Sequence, residues 1–255
     1  MCTLVVLHRC FPDAPLVVAA NRDEYLDRPA EGPALRRFGD GRPVVAPRDV
    51  RAGGTWLGLA AGGLFAGLTN RPCATPDPRR RSRGLLVADA LAQPDAERAA
   101  EALARLPEDA YNPFNLLVAD GRRCFVAVYE GRARVDELEP GPHVVGNTDP
   151  DRRDHPKVSR ILRAAEKVAA GSSARAPAAL AALCRRHDGR TGPLDDVCIH
   201  AGGYGTRSST LLRRGLSRDA DLLRFAEGPP CENGYEDRTT LLRELDREAG
   251  DDARA

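Results

Sequence analysis

The order of hydrophobic periods along the chain restricts its architecture more than any single residue does. Two short apolar runs, Cys2–Leu7 and Leu16–Ala20, open the chain with Pro12 and Pro15 between them, so they read as strands joined by a turn. Residues 29–52 are dense in Gly, Pro and charge and read as loop. Thr55–Ala60 and Leu64–Thr69 flank Ala61-Gly62-Gly63, the pattern of a hairpin with glycine where positive φ is needed. A Pro-rich basic loop over 71–83 leads to Ser82, placed to cap a helix over Gly84–Leu91, and a second helix is expected over Asp95–Leu106. Short strands follow at Phe114–Ala119, Cys124–Tyr129, Ala133–Leu138 and His143–Val145. Pro156 suits a first helical turn, and Val158, Ile161, Leu162, Ala165 and Val168 then recur at helical spacing, with a partner helix over Pro177–Arg186. Strands return at Ser208–Arg213 and Leu222–Ala226, and residues 246–255 are expected to form a flexible polar tail. Helix pairs set between groups of strands predict an α+β layered fold, and no linker divides residues 1–245, which read as a single domain.

Composition then removes whole classes of function. The 255 residues are 42% hydrophobic, enough to fill a core. Lys+Arg number 38 against 37 Asp+Glu, so the large basic excess of a nucleic-acid binder is missing, as is the high net charge of a disordered chain. No apolar run approaches the roughly 20 residues of a membrane span. The run Leu4–Leu7 is broken at once by His8 and Arg9, which is not the pattern of an export signal. Seven irregularly spaced cysteines without a C-x-x-C pair add to the expectation of reduced thiols in a cytoplasmic protein. His8, His143, His155, His187 and His200 show no metal-ligand spacing, so neither a metal nor a cofactor is expected. Any one of these histidines would serve as an axial ligand to haem, and nothing in the sequence selects it. Lys157 and Lys167 are the only lysines, a bias to which no function is attached.

Cys2 carries the most chemical information. Removal of the initiator methionine would leave a residue that holds both a thiol nucleophile and an α-amine, whose pKa of roughly 7.7–8.0 suits it to accept the thiol proton. Taken alone, a buried N-terminal cysteine is more often a small apolar packing residue. Asn21-Arg22-Asp23-Glu24 changes that balance, because four polar residues at the end of an apolar strand must face solvent, one another or a cleft. Alternation puts Asn21 and Asp23 on one face of the strand and Arg22 and Glu24 on the other. Asp23 is expected to orient the α-ammonium and Arg22 to supply positive charge. Other features read more simply: Gly53-Gly54 as a tight turn before a strand, Trp56 as core, Gly202-Gly203-Tyr204-Gly205 as a turn, and the arginines at 79–81 and 83 as a solvated loop.

Seven motifs carry a resemblance. Met1-Cys2-Thr3, Ala20-Asn21-Arg22-Asp23-Glu24, Gly53-Gly54-Thr55-Trp56-Leu57-Gly58, Leu68-Thr69-Asn70, Tyr111-Asn112-Pro113-Phe114-Asn115-Leu116, Gly146-Asn147 and Tyr204-Gly205-Thr206-Arg207 lie in register over residues 2 to about 227. In this the chain resembles the NRDE family, which includes the transport and Golgi organisation proteins. That family in turn resembles the cysteine N-terminal-nucleophile (Ntn) hydrolases, such as penicillin V acylase and bile salt hydrolase, and the resemblance implies a four-layer α-β-β-α sandwich. It implies catalytic roles for Cys2 as nucleophile and Asp23 as its acid, with Asn70 and Asn147 for the oxyanion and the amine and Arg207 as a late arginine. Asn21, Arg22, Glu24, Trp56 and Tyr204 are the candidate substrate-binding residues. One departure stands out: the acylases carry Arg-Asn-x-Asp where this chain has Ala20-Asn21-Arg22-Asp23, which moves the arginine to the opposite face. The implied activity is hydrolysis of a non-peptide amide or thioester through an acyl-enzyme on Cys2. The alternative is a binding or transfer protein for haem or an acyl-CoA-like or lipid-like ligand, with arginines for its anionic end; a purely structural protein ranks last.

Overall fold

The computed structural model describes residues 2–39, 41–187 and 192–252. The first strands are β1 (Thr3–His8), β2 (Leu16–Tyr25), β3 (Ala30–Arg36), β4 (Val44–Asp49), β5 (Leu57–Ala60) and β6 (Phe65–Asn70). Helices α1 (Arg83–Leu91) and α2 (Ala96–Ala104) precede β7 (Phe114–Ala119), β8 (Cys124–Tyr129), β9 (Ala133–Glu137) and β10 (Gly141–Val145). Then come α3 (Pro156–Ala169), α4 (Ala176–Cys184), β11 (His200–Ala201), β12 (Tyr204–Arg214), β13 (Leu222–Glu227), β14 (Glu236–Asp237) and α5 (Thr240–Asp252). All described pairings are antiparallel. No helix among the described residues is long and apolar enough to cross a membrane.

The elements group into two compact units. One joins the segment up to Arg28 to Pro140–Thr239, and the other joins Pro29–Glu139 to the segment from Thr240. In the first unit the sheet runs β10-β1-β2-β12-β13-β14, with β11 paired to β12. β1 is buried along its whole length, which explains why it reads as a continuous apolar run rather than an alternating one. One face carries Val5, Leu7, Val17 and Ala19, and against these pack Val158, Ile161 and Leu162 of α3 and Leu180 of α4. Pro156 occupies the first turn of α3, where its missing N–H costs nothing.

In the second unit the sheet runs β3-β4-β5-β6-β7-β8-β9, and Leu86, Val87 and Leu91 of α1 and Leu103 of α2 pack on Val44, Ala66, Leu116 and Val118. Ser82 caps α1 as expected, accepting from the N–H of Gly84.

Two expectations are corrected. Residues 29–52 are not a loop: they hold β3 and β4, paired to each other. The Pro and Gly density disguised an edge strand whose Pro33 sits where its register shifts, between Glu31 and Ala34, as prolines in edge strands do. Nor is the C-terminal stretch a polar tail from residue 246. It continues α5 to Asp252, because Leu242 and Leu245 are buried and the helix lies against β3 and β4, while residues 253–255 fall outside the described part.

The Gly53-Gly54-Thr55-Trp56 motif is a packing device. Gly53 takes φ +74°, and a Cβ added to Gly54 would lie 2.3 Å from the carbonyl carbon of Gly84, at the start of α1. Gly54→Ala is expected to destabilise the fold by about 1–3 kcal/mol. Urea denaturation checks this, and an unchanged midpoint would show that α1 can shift freely.

Candidate active site

The polar residues of the first unit gather where β1, β2 and β12 meet. β1 pairs Thr3 with Asn21, so Cys2 lies one residue beyond that pair, at the polar end of β2. On the other side of β2, Ser209 is opposite Asn21 and Ser208 opposite Arg22, while Thr206 is opposite Asp23. Arg207 is therefore the extra residue of a β-bulge. Its consequence is a change of face. Thr206 and Ser209 are three apart and would point to opposite sides of a regular strand, but the bulge puts both on the side of Asn21 and Asp23.

That side is tightly bonded. Asn21 Nδ2 donates to the carbonyls of Cys184 and Val197, both at 2.9 Å, and its Oδ1 accepts from Ser209 Oγ at 2.7 Å. Asn21 thus ties β2 to the end of α4 and is 1% exposed, which makes it a positioning residue. Asp23 is equally enclosed. Its Oδ1 accepts from Thr206 Oγ1 at 2.7 Å, whereas Oδ2 is buried with no hydrogen-bond partner among the described residues. Thr206 Oγ1 is fixed in turn by the N–H of Ile199 at 2.8 Å.

Asp23 is a carboxyl that resists ionisation. Burial raises its pKa to about 7, against the favourable N-terminal charge, that of Lys157 and the Thr206 hydrogen bond. Lys157, in the first turn of α3, is 8% exposed and donates from Nζ to the carbonyl of Leu194 at 3.2 Å. Burial lowers its pKa, while the charges of Asp23, Asp195 and Cys2 oppose that shift.

Cys2 is partly exposed as a residue, but its Sγ lies 3.8 Å from the backbone oxygen of Asp23. Burial raises its thiol pKa and the Asp23 charge adds to that rise, while the N-terminal charge, the Asp23 backbone contact and Arg22 act in the opposite sense. A thiol so placed needs a local base before it can attack anything.

The other expected residues take varied positions. Arg22 is buried at 5% exposure, and by alternation it faces away from Asp23. On that same face Ser208 Oγ and Thr210 Oγ1 are buried with no hydrogen-bond partner among the described residues, an uncommon state for polar atoms inside a sheet. Tyr204 donates its hydroxyl to the Asp23 carbonyl at 3.0 Å and sets its ring edge-on to Tyr25. Glu24 lies at the margin, near Arg28 at 3.8 Å. Gly146 and Asn147 follow the end of β10, whose Val145 is opposite Leu4, so the loop leaves the sheet at the Cys2 end of β1. Asp151 pins that loop, accepting from the N–H of Val144 at 2.7 Å and bonding His143 Nδ1 at 2.7 Å. Asn70 and Trp56 belong to the second unit: Asn70 closes β6 opposite Phe114, and Trp56, 9% exposed, accepts at its carbonyl from the N–H of Leu68.

Lys157 and Thr206 were not singled out from the sequence. The signal for Lys157 was its rarity, since a chain that uses arginine almost everywhere keeps a lysine at this one buried place. A lysine can lose its proton when buried and an arginine cannot. Thr206 lay within a quoted motif, but only the bulge reveals which way it points.

Comparison with known proteins gives the family and the fold. The model of a family described as Transport and Golgi organisation 2 matches residues 1–220. The human transport and Golgi organization protein 2 homolog is 27% identical over 226 residues, covering 77% of this chain and 81% of its own. The bovine homolog is 34% identical over 140 residues, covering 52% of this chain and 50% of its own. Among solved structures, the Caenorhabditis elegans ortholog of N-acylethanolamine-hydrolyzing acid amidase superposes with a TM-score of 0.58 at 13% identity, over 82% of this chain and 92% of that one. A C2A mutant of conjugated bile acid hydrolase from Clostridium perfringens gives 0.52 at 11% identity, over 96% and 94%. Likeness at these identities shows the fold class, the α-β-β-α sandwich of the Ntn hydrolases, as the motifs implied.

The raised carboxyl gives a pH dependence of definite sign. Asp23 stays protonated up to about pH 7 in the folded chain, whereas an ordinary carboxyl ionises near 3.8. Between those values the unfolded chain binds fewer protons, so this group removes stability progressively as the pH rises through the window. Asp23→Asn is expected to flatten that part of the stability curve, measured by urea denaturation at several pH values. An unaltered slope would mean that the carboxyl titrates normally.

Proposed function

This chain belongs to the transport and Golgi organisation 2 family, and we propose that it acts as a cysteine hydrolase of the N-terminal-nucleophile type. The observation that carries this reading is the buried Asp23 Oδ2, which has no hydrogen-bond partner among the described residues and belongs to the residue whose backbone oxygen lies 3.8 Å from the Cys2 sulfur. A buried acceptor of this kind costs roughly 1–3 kcal/mol unless something donates to it. Loss of Met1 would create such a donor, the α-ammonium of Cys2.

The steps follow from the groups present. The α-amine, held by Asp23, takes the proton of the Cys2 thiol, which offsets the raised pKa that burial imposes. The thiolate attacks the carbonyl carbon of an amide or thioester, and negative charge develops on the carbonyl oxygen. Asn147, in the loop that leaves the sheet at the Cys2 end of β1, is the proposed donor to that oxyanion. The tetrahedral centre collapses, the leaving amine or thiol departs with the proton held on the α-amine, and the acyl group remains on Cys2 Sγ. Water, activated by the same amine, then releases the carboxylic acid and restores the thiol. Buried Ser208 and Thr210 hydroxyls and the Arg22 guanidinium offer polar groups to the substrate, which suits an acyl compound with an anionic end.

A second reading rests on the same sulfur. While Met1 is retained there is no α-amine on Cys2, the thiol keeps its raised pKa, and the polar face would serve only to bind a ligand such as haem or an acyl-CoA. Intact mass of the purified protein separates the two. Loss of Met1, an acyl adduct on Cys2 after exposure to N-acyl amides or acyl thioesters, and no turnover in Cys2→Ala are expected for the enzyme. Asn147→Ala is expected to lower kcat by about 10²–10³-fold. Retained Met1 in protein that still turns substrate over would overturn the mechanism, and saturable ligand binding with no adduct would favour carriage.

A further inference from the structure

The histidine spacing of the sequence contains no metal motif, yet the first unit collects donors that are far apart in the chain. The ligand atoms of His187, His200 and Cys231 all lie within 4.8 Å of one another. His200 Nε2 is 3.1 Å from Cys231 Sγ and 3.7 Å from Cys198 Sγ, and the two sulfurs are 3.4 Å apart. A tetrahedral zinc ion, with Zn–S near 2.3 Å and Zn–N near 2.0 Å, spaces its donors about 3.3–3.8 Å apart. Three edges of such a tetrahedron are thus present to within a few tenths of an ångström.

The backbone holds these donors in place. The N–H groups of Val197 and Cys198 both donate to the carbonyl of Arg186, which brings His187 beside Cys198. Cys231 sits in a turn closed by Asn233 N–H on the Pro229 carbonyl and tied to α4's end by Arg185 Nε on the Pro230 carbonyl. Glu232 Oε1 lies 3.7 Å from His200 Nδ1, an exposed carboxylate near enough to close on that nitrogen when Nε2 holds a metal. His187 also lines an open cleft with Arg160, Arg185 and Asp196, a route for an ion from solvent.

We propose that His187, His200, Cys231 and Cys198 bind one transition-metal ion of the zinc class. No step of the hydrolysis passes through this ion. Its effect is structural: it would fasten Cys198 and His200 on either side of Ile199, the residue whose N–H fixes the Thr206 hydroxyl on Asp23. A disulfide between Cys198 and Cys231 is the competing fate of the same sulfurs.

Reduced, metal-stripped protein titrated with Co²⁺ tests the site. One equivalent is expected to give thiolate-to-cobalt charge-transfer absorption that Zn²⁺ abolishes by displacement. Cys198→Ser/Cys231→Ser should lose it, and Glu232→Gln, an exposed change that leaves every donor in place, should weaken binding roughly 10–100-fold. Absence of saturable binding, or binding retained by the double variant with a native circular dichroism spectrum, overturns the proposal. So does a Cys198–Cys231 disulfide in the purified protein combined with no cobalt signal after reduction, which would assign the sulfurs to a redox pair.

Discussion

Burial of the Asp23 carboxyl is the constraint around which the first unit is arranged. A carboxylate in an apolar sheet is costly unless hydrogen bonds and positive charge surround it. This one receives a threonine hydroxyl from β12 and the field of a lysine from α3. Both partners depend on longer arrangements. The hydroxyl is on the correct side only because of the bulge at Arg207, and the lysine stands in the first turn of α3, next to Pro156. The partial compensation leaves the group poised near neutrality, where a small change in local charge alters its protonation.

The Cys2 sulfur follows from that arrangement. It lies 3.8 Å from the backbone oxygen of Asp23, and the charge of that residue's carboxylate adds to burial in holding the thiol pKa up. β2 itself divides into two faces. Asn21 and Asp23 bond to the helical side, while Arg22, with Ser208 and Thr210 beyond it, presents polar groups on the other.

Much of this was legible in the sequence, and for identifiable reasons. Continuous apolar runs disclosed β1 and the first part of β2, and the Ser82 cap disclosed α1. Alternation alone placed Asn21 and Asp23 together and Arg22 apart from them. What was hidden depended on long-range contact. The edge strand β3 was concealed by Pro33 and its charges, and α5 by an acidic and basic surface that left only Leu242 and Leu245 to show its buried side. Lys157 was hidden because its value comes from what surrounds it 134 positions from Asp23, and the His187, His200 and Cys231 cluster because its members share no local spacing.

The bulge has a further consequence for how this chain can vary through time. Length matters in its own right in the stretch from Tyr204 to Ser208. Arg207 is the inserted position, and the pairing on either side of it depends on its being present. Its deletion would restore a regular ladder and turn the Thr206 hydroxyl to the far side of the sheet. Descendants of this fold therefore cannot omit that position without turning Thr206 away from Asp23.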